Sequence, residues 1–460
     1  MPSARILPLI VATALLMENI DSSVLATSLP EIARDLNSDP IHLKLVLTTY
    51  LLALAVFIPA SGWMADRFGA RKIFRAAIVV FALGSIACAI STNLIELVAA
   101  RALQGLGGSM MTPVGRLIVL RDTPRAGLVG ALAWLTVPAL LGPVLGPPLG
   151  GYITTYWDWR WIFWINIPIA VLGVILATRF IPDLREPEPR RFDSAGFLLL
   201  GPGLAGFLTG ATLMGLSLAT PLAVFGLTAT GAGLIALYVR HALRTAEPMV
   251  DLRLLALPTF RISVTAGTLF RVGVGALPFL LPLMLQLGFG LNPFQSGMIT
   301  FASGIGALVL KFAAQPILRR FGFRRVLMVN ALISSVFILA PASFTPQTPW
   351  LLMLGVLFVG GLSRSLQFTV NAIAYAEVPS ERLSSATSFT AVLQQLSGSI
   401  GITLAAMTLE GAGYLRGTSA TDLSNFPIVF IVIALLSLSS AVILAKLSPQ
   451  AGSQLVRATD

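Results

Sequence analysis

Residues 62–72 read GWMADRFGARK, and residues 319–325 read RRFGFRR. The strings share Arg-Phe-Gly: DRFGARK at position 66 recurs as RRFGFRR at position 319, an offset of 253 residues. Each is a short basic link between two apolar runs. Reading outward, each link lies between the second and third runs of a block of six. The chain therefore reads as two repeated six-helix halves with extra material between them.

The runs are long enough to cross a bilayer. Of 460 residues, 56% are hydrophobic and 11% charged, and the mean hydropathy is +0.85. A soluble domain carries about 25% charged residues, so this chain has too little charge to cover a water-facing surface. That excludes a soluble enzyme, a disordered chain and a fibrous protein. A spanning helix needs about 20 apolar residues. Polar and Gly/Pro-rich punctuation divides the sequence into fourteen spans, at 6–29, 42–64, 73–91, 94–117, 127–152, 161–180, 194–214, 219–239, 262–287, 294–315, 326–344, 350–372, 384–409 and 426–446. The expected fold is an all-α membrane protein of fourteen helices. Residues 1–180 form an N-terminal six-helix half, 181–260 two inserted helices with flanking cytoplasmic loops, 261–446 a C-terminal six-helix half and 447–460 a cytoplasmic tail. The start, MPSARILPLIVATALLMENIDSS, is of spanning length and contains Glu18 and Asp21. It reads as an uncleaved first span, because a cleavable signal has a shorter apolar region and a small-residue cleavage site.

Cationic loops set the orientation. If the N-terminus is cytoplasmic, the inside links hold Arg67, Arg71, Lys72, Arg75, Arg121, Arg125, Arg185, Arg190, Arg191, Arg240, Arg244, Arg253, Arg319, Arg320, Arg324 and Arg325. The outside links hold little more than Arg34, Lys44, Arg160 and Arg416. An even number of spans puts both termini on one side, so both are expected in the cytoplasm. The net charge of +11 then reflects topology and implies no nucleic-acid partner. One cysteine, Cys88, and two histidines, His42 and His241, leave no internal disulfide and no Cys- or His-based metal site.

Within GWMADRFGARK, Gly62 and Gly69 permit close approach and a tight reversal. Asp66 is a lone carboxylate amid four cations. It is placed to face the positive end of a neighbouring helix or to pair with Arg67 or Arg71. In the fifth span, GPVLGPPLGG at 142–151 spaces glycines for close helix packing. Its Pro143, Pro147 and Pro148 remove ladder hydrogen bonds. A gate between the halves and plain helix packing both fit that string.

Taken together these strings resemble the major facilitator superfamily. GWMADRFGARK is similar to its signature loop, a gating element made here by Gly62, Asp66, Arg67, Gly69 and Arg71. RALQGLGGSMMTP at 101–113 resembles the family's second motif, with an arginine inside the membrane. Gly142, Gly146, Pro147, Gly150 and Gly151 match the antiporter motif of the fifth helix in full. NIDSSVLATSLPEI at 19–32 resembles the first-helix motif of the fourteen-helix drug:proton antiporter branch, which the two inserted helices also fit. RALQGLGGSMMTPVGRL, RRFDSAGFLLL and GFGLNPFQSGM are most similar to the bacterial multidrug exporters of that branch. The resemblance implies a bacterial inner-membrane protein that acts on small molecules by secondary export.

Five ionisable residues fall inside the predicted spans: Glu18 and Asp21 in the first, Arg101 in the fourth, Arg271 in the ninth and Arg364 in the twelfth. Such groups are costly in lipid and mark functional candidates. Glu18 and Asp21, three residues apart, share a helix face. At about 1.5 Å per residue, Asp21 lies roughly 12 Å and Arg101 roughly 10 Å from the outer ends of their helices, so they can pair. Protonating the carboxylate would weaken the pair and couple transport to proton entry. A permanent structural pair is the other reading. The membrane-embedded second half offers Arg271 and Arg364 no carboxylate, since Glu377 and Glu410 fall at helix ends. The two arginines would favour an anionic substrate, or they bond carbonyls, waters, Gln367 and Asn371. Gln104, Gln286, Gln394 and Gln395 either line the same cavity or bond between helices.

No phosphate-binding Gly-x-x-x-x-Gly-Lys-Ser/Thr loop is present. ATP therefore does not drive transport directly, and what the resemblance implies is proton-coupled export of small organic molecules, of the multidrug-efflux type and without chemistry on the substrate. The proton gradient stands in place of any cofactor. The alternative is export of an organic anion such as a carboxylate metabolite or an iron chelator. The antiporter motif disfavours an importer or a channel. The partners are the lipid bilayer, a small-molecule substrate and protons, and the protein is expected to be a monomer.

Overall fold

A computed structural model of the chain describes residues 3–123, 128–185, 191–216, 218–367, 369–379, 382–448 and 450–451. Arg125 and Arg190, counted above among the inside cations, lie outside the described residues, as does most of the expected tail. The helices are α1 (Ser3–Asp35), α2 (Lys44–Phe68), α3 (Ala70–Ala89), α4 (Leu94–Asp122), α5 (Leu128–Tyr156), α6 (Trp161–Trp164) and α7 (Asn166–Phe180). They continue with α8 (Ser194–Leu213), α9 (Pro221–Arg244), α10 (Pro258–Leu283), α11 (Pro293–Phe321) and α12 (Phe323–Leu339). The last are α13 (Trp350–Gln367), α14 (Val370–Ala374), α15 (Leu383–Arg416) and α16 (Phe426–Leu444). Among the described residues there is no strand.

Every predicted span holds a helix. The sixth is split into α6 and α7, and the twelfth into α13 and α14. Among the described residues, twelve segments are long and apolar enough to cross a membrane. The other two are α4, whose apolar content is diluted by Gly, Gln and Arg, and α5, whose side chains are described only from Leu141. Several helices overrun the predicted spans, among them α1, which runs Ser3–Asp35 where 6–29 was expected, and α15, which continues to Arg416 instead of ending near 409. Apolar run length marks what lipid can cover, but the backbone ladder continues into polar sequence because its hydrogen bonds do not depend on lipid.

Both repeat links make the same turn. Gly69 separates α2 from α3 with φ +97°, and Gly322 separates α11 from α12 with φ +73°. Only glycine takes such a φ without strain, which is why Arg-Phe-Gly recurs. The helix pairing recurs as well. In the first set α1 packs on α5 and α7, α4 on α2 and α3, and α3 on α7. In the second, α10 packs on α15 and α16, α13 on α11 and α12, and α12 on α16. The two sets meet through α2 against α15 and α5 against α11, while α8 pairs with α9 and leans on α2.

The apolar cores differ at the two ends of the bundle. At the end where α1 runs into α2, one core spans both sets and includes Leu25, Leu29 and Leu43 with Phe279, Leu283, Leu409 and Phe430. Toward the other end, Val11, Phe74 and Ile118 belong to one core and Leu318, Leu327 and Leu444 to a separate one, while Leu52, Leu204, Val264 and Phe389 belong to a third that joins α2 and α8 to α10 and α15.

Candidate functional site

Five helices converge on one buried charge cluster. The Arg101 Nη1 of α4 donates to Asp21 Oδ2 of α1 at 2.6 Å, and both side chains are about 1% exposed. Asp21 Oδ1 accepts from Gln104 Nε2 at 2.7 Å and from Asn166 Nδ2 of α7 at 2.8 Å. Both amides also donate to Ser85 Oγ of α3, at 2.8 and 3.2 Å. Gln104 Oε1 accepts from Arg101 Nη1 at 2.5 Å and from Cys88 Sγ at 3.7 Å. On α2, the Val46 carbonyl accepts from Arg101 Nε at 3.4 Å, and the guanidinium lies 4.1 Å from the Tyr50 ring centroid. A buried ion pair survives loss of water only when further hydrogen bonds satisfy its remaining lone pairs and protons, and these partners do that.

The sequence builds this cluster through small residues. Added Cβ atoms at Gly84 and Gly105 would meet the Gln104 backbone at 2.6 Å and the Tyr50 carbonyl at 2.8 Å. Glycines thus seat α4 against α2 and α3 while Arg101 and Gln104 turn inward. Gln104, considered for a substrate cavity, is fully buried in this cluster instead. Ser85 and Asn166 escaped the sequence reading, although an asparagine inside an apolar span is itself a signal.

Glu18 stands apart, one turn from Asp21. Its Oε2 accepts from Thr112 Oγ1 of α4 at 2.8 Å, and the residue is only partly buried. The α5 glycines lie against this same helix. Gly142, Gly146 and Gly150, spaced four apart, face Asn19, Ser23 and Val24 of α1, and Ser23 Oγ donates to the Gly142 carbonyl at 3.0 Å. Gly151 faces Pro293 and Phe294 of α11, where Gly297 in turn faces Pro147. One motif therefore packs α5 onto the carboxylate-bearing helix and onto the second set. The helix is continuous through Pro143, Pro147 and Pro148.

In the loop of residues 62–72, Asp66 pairs with Arg121 at the end of α4 at 2.9 Å, in place of the expected Arg67 or Arg71. Arg121 is 55 residues away in sequence, beyond any local spacing rule. Arg71 Nη1 donates to the Ile181 carbonyl at 3.4 Å, and the Leu184 carbonyl accepts from Ala70 N at 2.9 Å, so the chain leaving α7 packs on this turn. Arg67 and Gly62 are exposed.

The family model described as Major Facilitator Superfamily matches residues 11–242 and 264–459. The chain belongs to the major facilitator superfamily. A protein called putative multidrug resistance protein MdtD, from Salmonella paratyphi B, is 39% identical over 443 residues, which is 95% of this chain and 93% of that protein. The Escherichia fergusonii protein of the same name is 38% identical over 444 residues, at the same coverage of both chains. Two solved transporter structures share the fold. The POT family transporter PepTSo has a TM-score of 0.68 at 15% identity and 99% coverage of both chains. A D-xylose-proton symporter has a TM-score of 0.66 at 14% identity, covering 94% of this chain and 96% of its own.

In the second set of this major facilitator chain, the arginines find neutral partners. Arg271 donates to Asn371 Oδ1. Arg364 donates to Ser303 Oγ and to the Gly360 carbonyl. A cavity of about 10 Å³ beside Arg364, lined also by Leu277, Ser334 and Phe337, has room for one water. Gln367 Oε1 accepts from Asn330 Nδ2 at 2.9 Å, while Gln394 is exposed. Gln286 Nε2 donates to the Thr27 carbonyl at 2.8 Å and so joins α1 to the turn after α10. The sequence reading also missed Lys44 and Glu410. Lys44 Nζ donates to Glu410 Oε1 at 3.0 Å across α2 and α15, with the lysine fully buried and the carboxylate 18% exposed.

Proposed function

We propose that this protein is a proton-coupled exporter of small organic molecules, of the multidrug-efflux type, working by alternating access in a bacterial inner membrane. Two six-helix units, residues 1–180 and 261–446, flank the inserted pair within 181–260, with both termini and the tail from 447 in the cytoplasm. The protein acts as a monomer, makes no chemical change in its substrate, and draws on the proton gradient with no cofactor.

The observation that carries this reading is the buried Asp21–Arg101 cluster with Glu18 one turn away, on the helix against which Gly142, Gly146 and Gly150 pack. Ionisable groups inside a membrane bundle are retained for function. Here they sit where a change of charge acts on the α1–α5 contact and, through Gly151, on α11. The name and near full-length similarity of the multidrug resistance relatives support the substrate class. The organic-anion reading has weaker support, because Arg271 and Arg364 already donate to Asn371, Ser303 and Gly360.

The shared apolar core, the Lys44–Glu410 pair and the Gln286–Thr27 hydrogen bond join the units at one end. Under the proposed orientation that end faces outward, which makes this the outward-closed state.

Uptake of a cationic dye, ethidium, into inside-out vesicles tests the proposal. An imposed proton gradient drives accumulation, and a protonophore abolishes it. Accumulation that ignores the protonophore refutes proton coupling.

A further inference from the structure

We infer that Glu18, and not Asp21, is the carboxyl group that takes up and returns the proton, while Asp21 stays ionised as the fixed anchor of Arg101. The inference rests on the proton-coupled reading above and names its carrier.

The argument begins with what each carboxylate touches. The groups that Asp21 meets all present donors: a guanidinium and two amide NH₂ groups. Protonating Asp21 would leave Arg101 without its counter-charge in the bundle, and its new O–H would find an acceptor only if Gln104 or Asn166 turned its amide, which would carry the NH₂ group away from Ser85. The arrangement is built for the ionised form.

Glu18 has the opposite chemistry. Its partner is the Thr112 hydroxyl, which donates to a carboxylate and accepts from a carboxylic acid by rotating about one bond. Both protonation states are satisfied without moving a helix. Asp21 is 2% exposed, whereas Glu18 is only partly buried.

The charged and titratable groups around Glu18 come from several helices. Asp21 lies on its own helix, Arg101 and Arg116 on α4, and the Tyr50 phenol on α2. The described side chains of α5 bring none before Tyr152, and α7 none before Arg179. Further along α1, the turn after α10 approaches through the neutral Gln286. The Tyr50 hydroxyl, buried beside this site, has no hydrogen-bond partner among the described residues.

The step is a simple protonation. A proton from water bonds to one Glu18 oxygen, the Thr112 hydroxyl turns to accept from it, and one negative charge leaves the α1 face opposite Arg116. Release reverses each movement.

Infrared difference spectra of the full-length protein reconstituted in lipid, recorded between acid and alkaline pH, test the assignment without any substrate. The wild type shows a protonated-carboxyl band that disappears on alkalinisation. Glu18→Gln loses this band and melts at the wild-type temperature. Asp21→Asn keeps the band and melts at a lower temperature. If Asp21→Asn does not fold, Thr112→Val and Glu18→Asp decide: each keeps a titrating band at a shifted frequency. A band that survives unchanged in Glu18→Gln, or a wild type without one, overturns the assignment. Failure of the proton-coupled reading shows separately, as dye transport insensitive to protonophore.

Discussion

Glu410→Gln removes one charge from the ion pair that joins α2 to α15. The charges are 3.0 Å apart, with Lys44 fully buried and Glu410 18% exposed. At an effective dielectric constant of about 20 their gross attraction is about 5.5 kcal/mol. Removing one partner of a buried pair costs about 3–5 kcal/mol, because the other charge is left uncompensated. The lower end, about 3 kcal/mol, applies here, since glutamine still accepts a hydrogen bond from Lys44 and the site is slightly wet. When α2 and α15 part at this end both groups regain water, so the loss falls on the closed state alone. At 1.4 kcal/mol per factor of ten, about 3 kcal/mol moves the closed-to-open ratio by about a hundredfold. Ala406, one turn from Glu410 and fully buried, is the reporter. In intact cells, Ala406→Cys should react with a membrane-impermeant maleimide about a hundred times faster beside Glu410→Gln than without it. The double change Lys44→Met with Glu410→Leu should restore slow labelling, because an apolar pair replaces a broken ionic one. Unchanged labelling in Glu410→Gln would show that the pair does not hold this end shut.

Asp66→Asn should slow turnover several-fold while leaving dye affinity and melting temperature nearly unchanged, since a pair with Arg121 whose side chains are 28% and 29% exposed is still water-screened and worth about 0–1 kcal/mol. A collapse in affinity at normal exchange rate would contradict a gating role. Gly146→Val places a side chain against Ser23. It should destabilise the protein by about 1–3 kcal/mol and abolish dye transport without preventing membrane insertion, as read by thermal melting and vesicle uptake. Arg271→Ala and Arg364→Ala should reduce transport of cationic and anionic probes alike, because the arginines bond neutral groups of their own set. Selective loss of anion transport would reinstate the organic-anion reading.

The sequence by itself determined the solvent, the repeat and the family. Apolar run length and scarce charge follow directly from what a bilayer tolerates. Arg-Phe-Gly recurs because Gly69 and Gly322 must both take a positive φ between two helices. The Asp21–Arg101 pairing was legible too, since depth along a helix is simple arithmetic and a charge in lipid demands a partner. Tertiary structure alone decided which polar groups close that cluster, because Asn166 and Ser85 are brought to Asp21 by packing that no local spacing encodes. It moved Asp66 from its neighbours to Arg121, and it buried Lys44, a residue that reads in sequence as an ordinary outside cation, against Glu410. It also separated two carboxylates that sequence treats alike. Glu18 and Asp21 share one helix face, but Asp21 meets a guanidinium and two amides whereas Glu18 meets a hydroxyl. That is a property of the neighbouring helices and not of the helix that carries them.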